Sequence, residues 1–359
     1  MSTITSQLHQ LGQSLWLDNI TRGLLDNGTL KHYIDDLSVT GLTSNPSIFN
    51  FAIKGSNFYD EAITQKVKEG KSGEELFFEL AIEDLTRAAD LFCPIYERTN
   101  GVDGWVSLEV SPHLAYDTET TLRAARQLSE QAGRPNLFIK IPGTPEGIPA
   151  IEEAIFAGVP VNVTLLFSRE HYVAAAEAYL RGIERRIEAG LNPRVESVAS
   201  VFISRWDGSV AKLVPPELNN TLGIAIAERT YKAYRDLLNS DRWARLANFG
   251  AHPQRVLWAS TGTKDPNASD TLYIRALASP YTVNTMPEGT LLKFADHGTL
   301  DGILSAAGGN GEAVISRISR LGVDVDALAA QLQKDGAEAF VKSWDEMMGV
   351  VAAKSESMR

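Results

Sequence analysis

LFIKIPGTPEG, residues 137–147, is the stretch on which the reading of the fold turns. Leu137, Phe138, Ile139 and Ile141 need burial, and the Pro-Gly turn that follows at once marks a short strand that stops abruptly. A lysine stands among the apolar residues. A buried ammonium costs several kcal/mol unless it is paired or neutralised. Lys140 therefore reads either as a strand-end residue snorkelling its head to water or as an amine kept reactive for attack on a carbonyl. The segment alone does not decide between them.

Working outward, similar short apolar runs recur between Gly, Pro or polar turns. They are SLWLD (14–18), SVTGLTSN (38–45), WVSLEV (105–110), VPVNVTLLF (159–167), SVASVFI (197–203), RVLWAS (255–260) and YTVNTM (281–286). Between them lie segments of helical period at 72–92, 117–133, 169–190 and 217–240, the third with Ser168 placed as an N-cap. Strands alternating with helices predict a parallel sheet with crossovers, and eight strands suit a (β/α)8 TIM barrel. The competing arrangement is an open doubly wound sheet. No linker or composition shift divides the chain, so residues 1–359 read as a single α/β barrel domain. Additional helices over about 312–350 are expected to pack on it. The glycines of GKSGEE (70–75) and SAAGGNGE (305–312) lack the spacing of a nucleotide-binding loop and read as ordinary loops.

Bulk properties narrow the function. A length of 359 residues and 44% hydrophobic content suffice for a large core. A net charge of −11 argues against general nucleic-acid or membrane-surface binding, while leaving room for an anionic small molecule held by a few local cations. The single Cys93 forbids an internal disulfide. The N-terminal stretch lacks the charged start and continuous apolar core of a signal peptide, so a soluble cytoplasmic protein is expected. The sequence does not give an oligomeric state.

Side chains alternate across a strand, so parity assigns faces. Val106, Leu108 and Val110 oppose Trp105, Ser107 and Glu109; Leu137, Ile139 and Ile141 oppose Phe138 and Lys140. Val161, Val163 and Leu165 oppose Asn162 and Thr164; Ala199, Val201 and Ile203 oppose Ser200 and Phe202; Leu15 and Leu17 oppose Trp16 and Asp18. In a barrel the wholly apolar face meets the helices. Asp18, Asn45, Glu109, Lys140, Asn162, Thr164 and Ser200 would then converge inside, where barrels place active sites. Each also has a structural reading: Asn45 as an N-cap before Pro46, Glu109 as a mere partner for Lys140. Burying seven in-phase polar residues without use would waste stability. No His pair has metal-ligand spacing, and no GxSxG elbow or Cys–His pairing is visible. A lysine, two carboxylates and several neutral hydrogen-bonding groups fit Schiff-base carbonyl chemistry.

GLTSNPSIF (41–49), SLEVSPHLAYD (107–117), LFIKIPGTPEG, VPVNVTLLFS (159–168), VASVFISRWD (198–207) and SPYTVNTMP (279–287) together resemble the transaldolase family. The blocks stand in the family's order from about Trp16 onward. The resemblance implies transfer of a dihydroxyacetone unit between sugar phosphates in the non-oxidative pentose phosphate pathway, without cofactor or metal. It implies that Lys140 is the Schiff-base lysine, and that Glu109 is the acid/base carboxylate working through a water that Thr164 helps hold. Asp18 would take the C4 hydroxyl proton. Asn45 and Asn162 would hold the dihydroxyacetone unit, and Ser200 and Arg205 would bind substrate, the arginine at the phosphate. Taken alone, Arg205 reads as a surface arginine paired with Asp207. Near ASTGTKDP (259–266) the chain lacks an arginine that many members carry there; Lys264 is the only basic residue and the candidate second cation. The nearest alternative is a fructose 6-phosphate aldolase, which shares the lysine chemistry; a more distant one is a non-catalytic barrel used for binding.

Overall fold

In the computed structural model, which describes residues 3–357, the alternation of the sequence becomes a closed ring. Among the described residues eight strands appear: β1 (Gln13–Asp18), β2 (Val39–Thr43), β3 (Val106–Glu109), β4 (Leu137–Pro142), β5 (Val161–Leu166), β6 (Ser197–Phe202), β7 (Arg255–Ala259) and β8 (Thr282–Met286). They pair in parallel in the order β2-β1-β8-β7-β6-β5-β4-β3. The ring closes where Gly41 of β2 meets Trp105 before β3, with Leu42 N–H donating to the Trp105 carbonyl at 2.9 Å. A Cβ at Gly41 would lie 2.7 Å from both the Trp105 carbonyl and the Trp16 ring, so only glycine allows this closure. Helices surround the barrel, which is the (β/α)8 arrangement.

Strand parity sorts the side chains as read. Leu15, Leu17, Val106, Leu108, Ile139, Ile141, Val161, Val163, Ala199 and Val201 join the core between sheet and helices. Trp16, Trp105, Phe138, Val198, Leu257 and Val283 fill the barrel interior instead. Trp105 and Phe138 stack with centroids 4.0 Å apart, and Trp16 Nε1 donates to Asp103 at 2.8 Å, so the lower interior is solid. The polar members of the same face are left at the carboxyl ends of the strands.

Leu165 departs from the expected alternation. It adopts φ +59°, the register with β6 shifts between Val163 and Leu166, and its side chain joins the interior cluster rather than the outward face. A bulge of this kind changes the aim of one side chain without ending the strand.

The predicted helices form as Gly73–Arg98, Thr118–Ala132, Arg169–Glu188 and Leu222–Leu238, with Ser168 Oγ accepting from His171 N–H at 3.1 Å as the N-cap. Gly73 thus opens a helix, where GKSGEE reads as a loop. In the glycine-rich SAAGGNGE loop, Gly309 and Gly311 lie against the Glu228 side chain, which a Cβ at either position would meet. Several short helices, such as Pro46–Lys54 and Ser204–Val210, carry too few turns to show a period in the sequence.

The C-terminal region forms two helices, Gly311–Ser319 and Val325–Ser357. The second crosses the carboxyl ends of β4 and β5. Gln333 Nε2 donates to the carbonyls of Gly143 (3.0 Å) and Leu165 (2.9 Å), and farther along Trp344 packs edge-on against Phe77 at 5.0 Å. Among the described residues no helix is long and apolar enough to cross a membrane.

Candidate active site

Register places the reactive groups on adjacent strands at one level. Glu109 pairs with Lys140, and Lys140 pairs with Asn162. Lys140 is 5% exposed, and its Nζ donates to Glu109 Oε2 at 3.2 Å and to the Ser44 carbonyl at 3.0 Å. The expected partnership of Glu109 and Lys140 exists, but it uses one carboxylate oxygen only. Glu109 Oε1 and the Thr164 hydroxyl are both buried and without a hydrogen-bond partner. Two orphaned polar atoms in one barrel mouth are costly unless a small polar molecule joins them, and a water is the smallest that fits that chemistry.

Asp18 lies at the rim. Its Oδ1 accepts from Thr43 Oγ1 at 2.7 Å, and Thr43 Oγ1 lies 2.6 Å from Thr285 Oγ1. Thr43 has a single proton, given to Asp18, so Thr285 donates to Thr43 and the pair of hydroxyls fixes the carboxylate. Burial raises the Asp18 pKa above its ordinary value, opposed by the charges of Lys140 and Lys264 and by the Thr43 bond. Burial likewise raises Glu109, opposed chiefly by Lys140. A buried and a half-buried carboxylate beside a lysine are poised to exchange protons with a bound substrate.

Asn162 and Ser200 form one unit: Ser200 Oγ donates to Asn162 Oδ1 at 2.7 Å, and Asn162 Nδ2 donates to Ser107 Oγ at 3.1 Å. Asn45 caps the helix Pro46–Lys54 through Oδ1, which accepts from Ile48 N–H at 3.1 Å. The cap and the site reading hold together, because Nδ2 stays available to a ligand while Oδ1 is engaged.

Asp18, Asn45, Lys140, Thr164, Ser200, Arg205 and Lys264 all line one cavity of about 130 Å³, and Glu109 and Asn162 flank Lys140 in register on the neighbouring strands. The Arg205–Asp207 pair does not form. Asp207 is buried and accepts from Leu222 N–H, Gly223 N–H and Tyr273 OH, while the Arg205 guanidinium stacks over Phe202 at 5.0 Å. Among the described residues neither Arg205 nor Lys264 makes an ion pair. Burial lowers the Arg205 pKa, opposed by the charge of Asp335, so this cation gains from an anionic ligand.

A family model described as Transaldolase/Fructose-6-phosphate aldolase matches residues 15–351. The chain belongs to this family. It is 41% identical over an alignment of 368 residues to a transaldolase of Arthrobacter sp. (strain FB24), covering 100% of this chain and 99% of that one. It is 43% identical to a transaldolase of Thermobifida fusca, with 98% of each chain covered. A protein named transaldolase 2 from Nostoc punctiforme is 38% identical over 97% of this chain and 96% of its own.

Within the transaldolase family frame, several lining residues escaped the sequence reading. Thr43 shares parity with Gly41, and Thr285 with Val283, so alternation carried a signal for both. Ser107 likewise stands on the inward face already assigned. Phe340, on the helix Val325–Ser357, carried none; its ring faces Lys140 Nζ at 5.7 Å only because a distant helix folds over the barrel.

Proposed function

We propose that the chain is a transferase that moves a dihydroxyacetone unit from a ketose phosphate to an aldose phosphate through a Schiff base on Lys140. The donors are sedoheptulose 7-phosphate or fructose 6-phosphate; the acceptors are glyceraldehyde 3-phosphate or erythrose 4-phosphate, as in the non-oxidative pentose phosphate pathway. The observation that carries this reading is the buried Lys140 amine, bonded to Glu109, in a barrel mouth where Glu109 Oε1 and Thr164 Oγ1 are buried without a hydrogen-bond partner. Relatives named transaldolase over nearly full length support transfer over simple cleavage.

The residues then take the following roles. Neutral Lys140 attacks the ketose carbonyl, and the carbinolamine loses water to give the iminium. Glu109 passes the protons through a water held between its free oxygen and Thr164. The iminium is an electron sink, so Asp18 removes the C4 hydroxyl proton while the C3–C4 bond breaks and an aldose phosphate leaves. The remaining enamine carbon attacks the carbonyl carbon of the incoming aldehyde, and Asp18 returns its proton to the new hydroxyl. Asn45 and the Asn162–Ser200 unit hold the three-carbon fragment, and Arg205 with Lys264 takes the phosphate.

Borohydride reduction in the presence of fructose 6-phosphate, read by mass spectrometry, should add a three-carbon unit to the peptide containing Lys140. A label on another lysine, or full transfer by Lys140→Met, would overturn the assignment. Coupled assays separate transfer to erythrose 4-phosphate from release of free dihydroxyacetone, the product expected of an aldolase.

A further inference from the structure

We infer that Phe340 is a specificity-determining residue: it roofs Lys140 and keeps the three-carbon intermediate from being lost to water. The inference rests on the proposed transfer reaction. The cavity is lined mainly by polar groups from the strand ends and their loops. Phe340 is the lining residue that comes from outside the barrel, on the helix Val325–Ser357, and it is 6% exposed. Its ring centroid lies 5.7 Å from Lys140 Nζ, and it clusters with Leu165, Phe167 and Phe202.

The roof is held in place by contacts made elsewhere on the same helix. Gln333, two turns earlier, is 8% exposed and donates to the carbonyls of Gly143, just past the lysine strand, and Leu165, just past Thr164. Gly336 lies between these points. A Cβ there would come within 3.0 Å of Leu165 Cδ2 and 3.1 Å of Arg205 Nη1, so the glycine lets the helix lie low over the mouth. On the far side, Trp344 Nε1 donates to Glu74 at 3.1 Å and Lys354 Nζ donates to the Ser56 carbonyl at 2.9 Å. The polar anchors fix the helix, and the residue it presents to the amine is apolar.

The chemistry gives an apolar roof a purpose. The enamine has two fates. Attack on an aldehyde forms the new C–C bond and completes transfer. In the wasteful branch the enamine carbon takes a proton and becomes the iminium; water then adds to the iminium carbon, the C–N bond breaks, and dihydroxyacetone leaves as Lys140 regains its amine. That branch consumes one water. Excluding bulk water from the amine suppresses it without altering the acid–base groups needed for transfer.

The test compares wild type, Phe340→Ala and Phe340→Leu with fructose 6-phosphate as donor. Transfer to erythrose 4-phosphate and release of dihydroxyacetone without acceptor are measured together, with borohydride labelling of Lys140 and circular dichroism as controls. Phe340→Ala should raise the ratio of release to transfer by about tenfold. Phe340→Leu, which restores apolar bulk, should return the ratio to within about twofold of wild type. An unchanged ratio in a folded, labelled Phe340→Ala protein overturns the inference, as does an equal loss of both rates or a failure of leucine to rescue. Absence of transfer and of Lys140 labelling in the wild type itself overturns the proposed function, and the roof with it.

Discussion

Replacing Glu109 with Gln isolates the proton-shuttling step from the architecture. The amide keeps the shape of the carboxylate, and its oxygen can still accept from Lys140 Nζ, whose second bond to the Ser44 carbonyl is untouched. The amide nitrogen replaces Glu109 Oε1, a buried atom without a hydrogen-bond partner, so no existing hydrogen bond is lost. What disappears is the titratable group proposed to serve the dehydration. General acid–base groups contribute about 10²–10⁴-fold, equivalent to roughly 3–5 kcal/mol at the barrier. Imine formation should slow by that factor, followed as the rate at which borohydride-trappable adduct accumulates in a single turnover, with little change in the KM for fructose 6-phosphate. A pH scan supplies the check on cause. Burial raises the Glu109 pKa, so the folded chain holds this proton more tightly than the unfolded chain. The associated stability is fully present below the ordinary value of 4.5 and is lost as pH rises through the raised value. The thermal midpoint of wild type relative to Glu109→Gln should therefore fall across that window. A rate loss below tenfold, or a stability difference that does not move with pH, refutes the reasoning.

Asp18→Asn should leave imine formation intact and slow C–C cleavage, seen as accumulation of the trapped six-carbon adduct over the three-carbon one. Because Asp18 acts as its carboxylate and burial raises its pKa, kcat/KM for wild type should rise with pH through a value above the ordinary 3.8; Lys264→Ala, which removes a charge that lowers Asp18, should move this limb higher still. Arg205→Ala should weaken phosphorylated donors by about 30-fold to several thousandfold, the equivalent of roughly 2–5 kcal/mol for an unpaired desolvated charge. It should spare the slow reaction of unphosphorylated dihydroxyacetone, whereas equal losses for both donors would show that Arg205 supports only the fold.

The barrel was legible because its information is local. A strand such as LFIKIP announces itself by length and bounding turns, and period-2 parity then assigns Lys140, Glu109, Asn162 and Ser200 to one face without knowledge of the neighbours. The same rule failed at Leu165, where a positive φ breaks alternation, because a bulge is fixed by the register of two strands. Arg205 was open to misassignment for a related reason. Asp207 is two residues away in sequence, but it is engaged by the start of the helix Leu222–Leu238 and by Tyr273. The pair that local spacing suggested does not form, and Arg205 instead lines the cavity. Phe340 and Gln333 lie some two hundred residues from Lys140, and their helix shows only an ordinary apolar stripe, so nothing local distinguishes a roof from a packing helix.

Electrostatics joins these parts. The chain carries a net charge of −11, and its overall field should repel a sugar phosphate. At the cavity the balance is different. Lys140, Arg205 and Lys264 face it with two carboxylates nearby, and burial shifts both carboxylates toward their neutral forms. Lys264 also acts on Asp18, whose pKa it lowers. In the proposed reaction a phosphate that neutralises Lys264 would weaken that pull and make Asp18 a stronger base toward the C4 hydroxyl. The proposed phosphate-binding cation would thereby adjust the proposed base. On the proposed mechanism this coupling favours proton removal at C4, and with it formation of the enamine that Phe340 is inferred to shelter from water.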